Sequence, residues 1–346
     1  MTSKKQFQPL LTIAIPTYNR ASYLRLNLEQ LSSQFIKVVH NIEILISDNC
    51  STDKTPGVVT GFVAQGLPIR YIRNSENIGS DCNIAQCFNE AAGRYVLILG
   101  DDDLLIDGAL EILLALLEKN HYGVLSVRPY GYDNDFRREH PGGGSRVREF
   151  TDVGEFVIAL GAFSTLISAN IISKELLPKV DARKFCGSNL VQTELVYRAA
   201  LAARLNVCAD QYLVAYKRNN TGGYAFSQVF VDHFAAILDE CRVLGLPREA
   251  VVKLERRLLI GHYPYYIWRQ RLSGGEDLQA AWVRFQTRYA GRWTFHLFVA
   301  PIFRLPRILA LVWGAAAIAV GRVVNGDARR GLSFAWYRLN RNTWRL

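Results

Sequence analysis

Asp101, Asp102 and Asp103 stand side by side, separated from the apolar run YVLIL (95–99) only by Gly100. Three adjacent carboxylates repel one another and raise one another's pKa unless a cation sits among them. Oxygen donors of this kind suit Mg²⁺ or Mn²⁺. A solvated acidic turn that opens the next helix is the other reading the triplet leaves open. Polar clusters also close other apolar runs: Pro16, Thr17, Tyr18, Asn19 and Arg20 after LLTIAI (10–15), Asp48 and Asn49 after EILIS (43–47), and Arg73, Asn77 and Asp81 after IRYI (69–72). Asp48 is suited to accept from a base N–H or a ribose hydroxyl, and Tyr18 to stack on a nucleobase. Turn formation, helix capping and simple packing are the competing roles for the same residues.

The elements that must position these groups alternate along residues 10–127. LLTIAI is wholly apolar, as a strand covered on both faces must be. Leu24, Leu28, Leu31 and Phe35 fall on one helical face. EILIS predicts a second strand, and DNCSTD a capped helix through Val58, Val59, Phe62 and Val63. IRYI predicts a third strand, followed over 77–93 by a loop and a helix that ends at Gly93. YVLIL gives a fourth strand, Asp107 a cap for ALEILLALLEKN, and GVLSV (123–127) a fifth strand. Such alternation predicts an α/β fold with a mostly parallel, Rossmann-like sheet, whose ligands bind beyond the carboxyl ends of the strands. Neither G-x-G-x-x-G nor a P-loop lysine occurs, so dinucleotide and P-loop triphosphate sites are not expected. Residues 128–150 lose periodicity and read as a mobile surface loop, with Gly142–Gly144 a candidate lid or an idle excursion. Mixed order follows to about 225, including a helix through LVQTELVYRAALAARL, and past 230 the pattern is helical.

The chain has 346 residues, 49% hydrophobic and 21% charged, enough apolar matter for a sizeable core, which excludes disordered and fibrous classes. Its charge is unevenly placed: residues 1–250 hold 25 Lys+Arg against 27 Asp+Glu, and residues 251–346 hold 16 against 4. A basic C-terminal part seeks an anionic surface. Arginines with aromatics also suit nucleic acid, but no recognised motif supports it, and no nucleic-acid partner is expected. Six cysteines without a C-x-x-C pair, and a start whose apolar run stops at Pro16, predict a reducing, cytoplasmic setting. Within 295–324 the longest uncharged stretch after Arg307 is 308–321, 14 residues. That falls short of the roughly 20 a spanning helix needs and predicts an interfacial or re-entrant segment. Arg304, Arg307 and Arg322 would sit at headgroup level, with Trp282, Trp293, Trp313, Trp336 and Trp344 at the same boundary. An ordinary core helix is the alternative.

Together, IAIPTYNR (13–20), EILISDNCSTD (43–53), RNSENIGSDCNIAQCFNEAAGRYVLILGDDD (73–103) and GSNLVQTELVYRAAL (187–201) resemble the family 2 glycosyltransferases of GT-A fold. The resemblance covers about 10–127 and extends in part to 225. Within the family, LGDDD with a GSN segment is similar to the O-antigen abequosyltransferase-like subgroup. The resemblance implies a GT-A domain over 1–228, with a nucleotide-sugar half over 1–127 and an acceptor half over 128–228. A helical, membrane-associating region over 229–346 follows. It further implies that Pro16, Thr17, Tyr18, Asn19 and Asp48 line the nucleoside, with Asn77, Gly79 and Asp81 nearby. Asp101, Asp102 and Asp103 then hold Mn²⁺ or Mg²⁺ and the donor sugar, Asp103 as a catalytic residue. The implied reaction moves a hexose or deoxyhexose from a nucleotide-diphosphate sugar to a lipid-linked or polysaccharide acceptor at the inner face of the membrane. One departure stands out: Val191 and Gln192 occupy the positions of the family's usual Glu-Asp pair, and Gln192 cannot act as a base. Glu194 on a non-helical segment, Asp133 or Asp135 from the 128–150 loop, or a transfer that needs no enzyme base all remain open, with Glu194 the expectation. A nucleotidyltransferase on a similar sheet, or an impaired nucleotide-binding partner, is the alternative reading.

Overall fold

The computed structural model describes residues 8–35, 41–218 and 223–324. The chain forms two compact units, one within Met1–Gly222 together with Asp239–Leu246, the other within Gly223–Leu238 and Pro247–Leu346.

The first unit is built on a nine-stranded sheet. In chain order the strands are β1 (Leu11–Thr17), β2 (Ile42–Asp48), β3 (Ile69–Arg73), β4 (Tyr95–Ile98), β5 (Leu104–Leu105), β6 (Val124–Tyr132), β7 (Val147–Phe150), β8 (Asn170–Ser173) and β9 (Asn206–Lys217). Their order in the sheet is β3-β2-β1-β4-β8-β6-β9-β5, with β7 also paired to β9. Between them run α1 (Ala21–Phe35), α2 (Thr55–Ala64), α3 (Ser80–Glu90), α4 (Ala109–Lys119), α5 (Val153–Leu160) and α6 (Val191–Ala202).

The β3-β2-β1-β4 half is parallel, as the alternating pattern predicts. Alternate residues of β1 point to opposite faces. Leu11, Ile13 and Ile15 pack with Leu24, Leu28 and Leu31 of α1, all essentially inaccessible, and each such leucine contributes about 1.5–3 kcal/mol. On the other face α3 lies over β1 and β2, pinned where Ser47 and Asn83 exchange hydrogen bonds.

Beyond β4 the sequence reading needs correction. GVLSV forms a strand that runs in the same direction as β4 but does not pair with it: β8 inserts antiparallel between β4 and β6. Nor is 128–150 one long loop, because β6 runs on to Tyr132 beside the 12-residue β9 and β7 pairs with β9. Glu139 accepts from the backbone N–H groups of Asp133, Asn134 and Asp135 and pairs with Arg218, so the turn between these strands is internally tied. Gly144 lies against the backbone of Asp210. Gly93 does not terminate α3; it comes close to Thr12 of β1, where a side chain would collide with the Thr12 backbone N–H at 2.6 Å. Asp107 does not cap α4, whose first flanking residue is Gly108; it bonds Gln30 and Arg137 instead.

The second unit is helical. After a π-helical turn at Gln228–His233 and α7 (Phe234–Val243), which runs back into the first unit's span, come α8 (Arg248–Gly261), α9 (Tyr263–Ser273) and α10 (Leu278–Tyr289). A second π-helical turn, Phe295–Val299, leads into α11 (Ala300–Arg304) and α12 (Arg307–Val324). Glu255, almost fully buried, is held by Arg288 and Arg292. Among the described residues α12 alone, with a mean hydropathy of 1.8, is long and apolar enough to cross a membrane by length and composition. Trp336 and Trp344, assigned to a membrane boundary above, lie outside the described residues.

Candidate active site

The carboxyl ends of β1, β2 and β4 bring the polar clusters together. Thr17, buried at the end of β1, donates through Oγ1 to Asp101 Oδ2 at 2.8 Å. Arg20 Nη1 lies 3.3 Å from both Asp101 Oδ1 and Asp102 Oδ2. Two carboxylates thus aim at one cationic point. Asn19, at φ 53°, accepts through Oδ1 from the backbone N–H of Thr52 and Asp53, locking the β1 loop to the β2 loop. Asp53 accepts in turn from the N–H of Ala21 and of Thr55, the first residues of α1 and α2. Tyr18 projects at the rim, 42% exposed, its ring free for a planar partner.

Asp103 faces elsewhere. It accepts from Ser168 Oγ at 2.5 Å and from the Lys217 backbone N–H at 3.2 Å, while Ser168 Oγ also accepts from Gly100 N–H. Burial raises the Asp101 carboxyl to about 7; Arg20 offsets this in part and Asp102 adds repulsion. The Asp103 carboxyl is likewise raised, first by burial and then by repulsion from Asp102.

Among the described residues, no three His, Cys, Asp or Glu side chains are grouped as a ligand set for a metal ion. The triplet is therefore a pair plus one: Asp101 and Asp102 converge, and Asp103 is held by Ser168 and the β9 backbone. Two hard oxygen donors converging on a site already taken by a guanidinium, in surroundings where burial and repulsion disfavour bare carboxylates, fit a divalent cation.

Several predicted site residues serve structural ends. Asp48 is fully buried, accepting from Ser51 N–H at 2.9 Å and Tyr71 Oη at 2.5 Å, with Arg73 Nε 3.7 Å away. It shapes the β2 loop, and burial together with its proximity raises the Tyr71 phenol. Asn77 Oδ1 accepts from Asn49 Nδ2 and from Gly79 N–H, leaving exposed backbone at Gly79 (φ 84°) just before α3. Asp81 takes the N–H groups of Gly187 at 2.8 Å and Asn189 at 2.7 Å. It anchors the GSN segment, whose Gly187 and Asn189 both have positive φ. Pro16 is half-buried in β1.

Glu194 corrects the expectation of an irregular backbone. It lies in the first turn of the regular helix α6, almost fully buried, with Arg198 Nε 2.6 Å from its carboxylate and Glu240 closing the other side of Arg198. Burial raises its pKa against the pull of Arg198, and a carboxylate so engaged is poorly placed to take a proton from a substrate. Gln192 donates to Thr165 O, and its buried Oε1 has no partner.

The sequence reading missed the spine that holds the acidic loop. Asn27 of α1 donates to the carbonyls of Asp103 and Gly100, Gln30 to Leu105 O, and Gln34 to Leu105 O. The signal was present: amides at 27, 30 and 34 follow the same helical spacing as Leu24, Leu28 and Leu31 and widen that buried face. Ser168, Lys217 and Tyr132, whose hydroxyl donates to the Asp102 carbonyl at 3.3 Å, carried no such signal.

Residues 12–175 match the family model described as glycosyl transferase family 2. A 110-residue stretch is 41% identical to the abequosyltransferase RfbV of Salmonella typhimurium, covering 32% of this chain and 33% of that one. A 170-residue stretch is 25% identical to the GalNAc(5)-diNAcBac-PP-undecaprenol beta-1,3-glucosyltransferase of Campylobacter jejuni, covering 48% of this chain and 54% of that one. The matches thus span between a third and about half of the length of these two curated relatives. The crystal structure of TarS residues 1–349 from S. aureus, in complex with UDP-GlcNAc, superposes with a TM-score of 0.58 at 19% identity, over 93% of this chain and 92% of that one. At that identity the likeness shows the fold, which is of the GT-A type.

Proposed function

We propose that the protein, whose residues 12–175 match the glycosyl transferase family 2 model, transfers a hexose or deoxyhexose from a nucleotide-diphosphate sugar to a glycan acceptor. The observation that carries this reading is the convergence of Asp101 and Asp102 on Arg20 beside the interlocked β1 and β2 loops. Ligands of parallel α/β sheets bind at such strand ends. The UDP-GlcNAc held by TarS supports a nucleotide-sugar donor. The lipid-linked acceptor in the name of the Campylobacter relative supports a lipid-linked glycan, met at the inner face of the cell membrane.

In this reading Tyr18 stacks on the base, and Asn19 fixes the loop that carries it. Asp101 and Asp102 would hold Mg²⁺ or Mn²⁺, which when bound supplies Lewis-acid stabilisation of the departing diphosphate. Thr17 and Arg20 keep the two carboxylates oriented without the ion. Asn27 and Ser168 fix the loop backbone on either side, so that the site is set before substrate enters. Asp103, anchored to β9, faces the β6–β9 side, where the acceptor half was expected. Asp81 positions the GSN segment on that half through two backbone N–H groups.

The test is to incubate the protein with Mn²⁺ and a panel of nucleotide sugars and follow nucleoside diphosphate release. Turnover lost in Asp102→Ala and in Asp103→Ala is expected. Absence of any nucleotide-sugar binding or turnover would overturn the reading, as would pyrophosphate release from a nucleoside triphosphate.

A further inference from the structure

Helix α12 has two faces of unusual composition. Ala310, Gly314, Ala317 and Gly321 are its buried residues. They let the helix lie close on α8 and α9, where Trp268 covers Gly314 and the Ile260 carbonyl meets Gly321. Its large apolar residues point the other way: Ile308 is 78% exposed, Val312 65% and Val323 67%, with Leu309, Trp313 and Val320 beside them. At 100° per residue these fill one continuous half of the helix. A helix of a water-soluble unit presents the reverse arrangement, large residues inward and polar ones outward.

The 14 uncharged residues from 308 to 321 give about 21 Å of helix at 1.5 Å per residue, short of the roughly 30 Å hydrocarbon core. One face is occupied along its length by α8 and α9, and α8 carries Lys253, Arg256 and Arg257. Standing α12 upright in a bilayer would draw those charges in; laying it in the interface leaves them in water.

The same unit holds a cavity of about 630 Å³ lined by Arg271, Gln279, Trp282, Gln286 and Arg304, among others, and its lining ends just before α12 in the chain. It continues into a cleft that shares Trp282, Gln286 and Arg304 and reaches Phe295, Pro301 and Leu305. No acidic residue occurs between 278 and 324. Arg304 lies over the Trp282 ring at 5.4 Å. Arg271 donates to Leu305 O, and its Nε is buried with no hydrogen-bond partner. A buried donor left unsatisfied is costly, and two guanidinium groups beside an aromatic wall match the oxygens of a phosphate. Arg304 stands just before Arg307, the first residue of α12, so groove and apolar face are consecutive in the chain.

We infer that the Trp282–Arg304 groove seats the phosphate of an anionic phospholipid headgroup while the outward face of α12 enters the acyl layer. This deepens the membrane assignment proposed above and rests on it. Apolar residues beside an arginine groove with no acid in its lining, Glu276 being bonded to Ser227 and Asp277 capping α10, match the layered chemistry of a lipid better than that of a protein partner.

The experiment floats the full-length protein with vesicles of phosphatidylcholine alone or mixed with phosphatidylglycerol. Wild type is expected to float with the mixed vesicles, and Arg304→Gln to bind them about five-fold more weakly, the usual contribution of one arginine at an anionic surface. Val312→Asp with Val320→Asp is expected to abolish flotation with far-ultraviolet circular dichroism unchanged, since both positions are exposed. Nucleotide-sugar hydrolysis in solution should be the same in all three proteins. Equal binding to neutral and anionic vesicles, or an Arg304→Gln variant that floats like wild type, would overturn the headgroup assignment. Absence of flotation overturns it too, whether the groove takes only inorganic phosphate or the aspartate variants merely dissociate a dimer. Flotation without any donor hydrolysis would instead count against the glycosyltransferase reading and leave this one standing.

Discussion

Neutralising Asp101 gives the sharpest test of the site. Its carboxyl is raised from 3.8 to about 7, chiefly by burial. The difference, about 3 pKa units at about 1.4 kcal/mol each, means that carrying this charge at pH 8 costs the fold on the order of 4 kcal/mol. The sign follows from proton binding: between pH 4 and pH 7 the unfolded chain loses this proton while the folded chain keeps it. Stability from this group is therefore fully present below pH 4 and is lost as pH rises through 7. Asp101→Asn keeps the shape, and its amide can still serve Thr17, while Arg20 retains Asp102. Allowing for the weakened bonds to Thr17 and Arg20, the variant should be more stable than wild type at pH 8 by about 1–3 kcal/mol. That is several degrees in the melting temperature of a domain of this size, and the gain should disappear at pH 5. Differential scanning fluorimetry across pH 5–8, with and without Mn²⁺, reads this directly. Wild type should gain stability from Mn²⁺ at pH 8, and the variant little. A variant less stable than wild type by the same amount at every pH would refute the reasoning, because burial would then not be straining an ionised Asp101.

Arg20→Gln removes the guanidinium that lies between Asp101 and Asp102, so calorimetry should show tighter Mn²⁺ binding than wild type; weaker binding would mean that the ion does not enter there. Glu194→Gln should lower turnover by only a few-fold, since Glu194 is committed to Arg198; a loss above about 10²-fold would restore it as the base. Asp81→Ala should free the amides of Gly187 and Asn189, accelerating their hydrogen exchange about 10–100-fold, as expected for about 1–3 kcal/mol of lost charge-assisted bonding. Unchanged exchange would show that the segment is held by other contacts.

The sequence by itself determined the four strands, and their parallel sense, that make up the β3-β2-β1-β4 half of the sheet. β1, β2 and β4 are almost wholly buried, so LLTIAI, EILIS and YVLIL are predominantly apolar, and the polar residues after them mark the edge where ligands of such sheets bind. It also determined that α12 is apolar and flanked by arginines, because composition and length are local properties. Tertiary structure decided what local pattern does not carry. The antiparallel strand β8, four residues long, sits between β4 and β6 although it is remote from β4 in the chain, and only pairing chooses it. Three consecutive aspartates look equivalent in sequence. Their roles diverged because Asp101 and Asp102 meet Arg20 while Asp103 meets Ser168 and the β9 backbone, 65 and 114 residues further on. Asp48 and Asp81 likewise stand at or beyond strand ends where a ligand acceptor is expected, yet Asp48 accepts from Tyr71 Oη and the Ser51 N–H, and Asp81 from the N–H groups of Gly187 and Asn189, because buried donors must be met within the protein. On α12 the sequence gives the two compositions, but only packing against α8 and α9 decides that the small residues face inward and the large ones outward: the close approach at Gly314 and Gly321 admits no larger side chain.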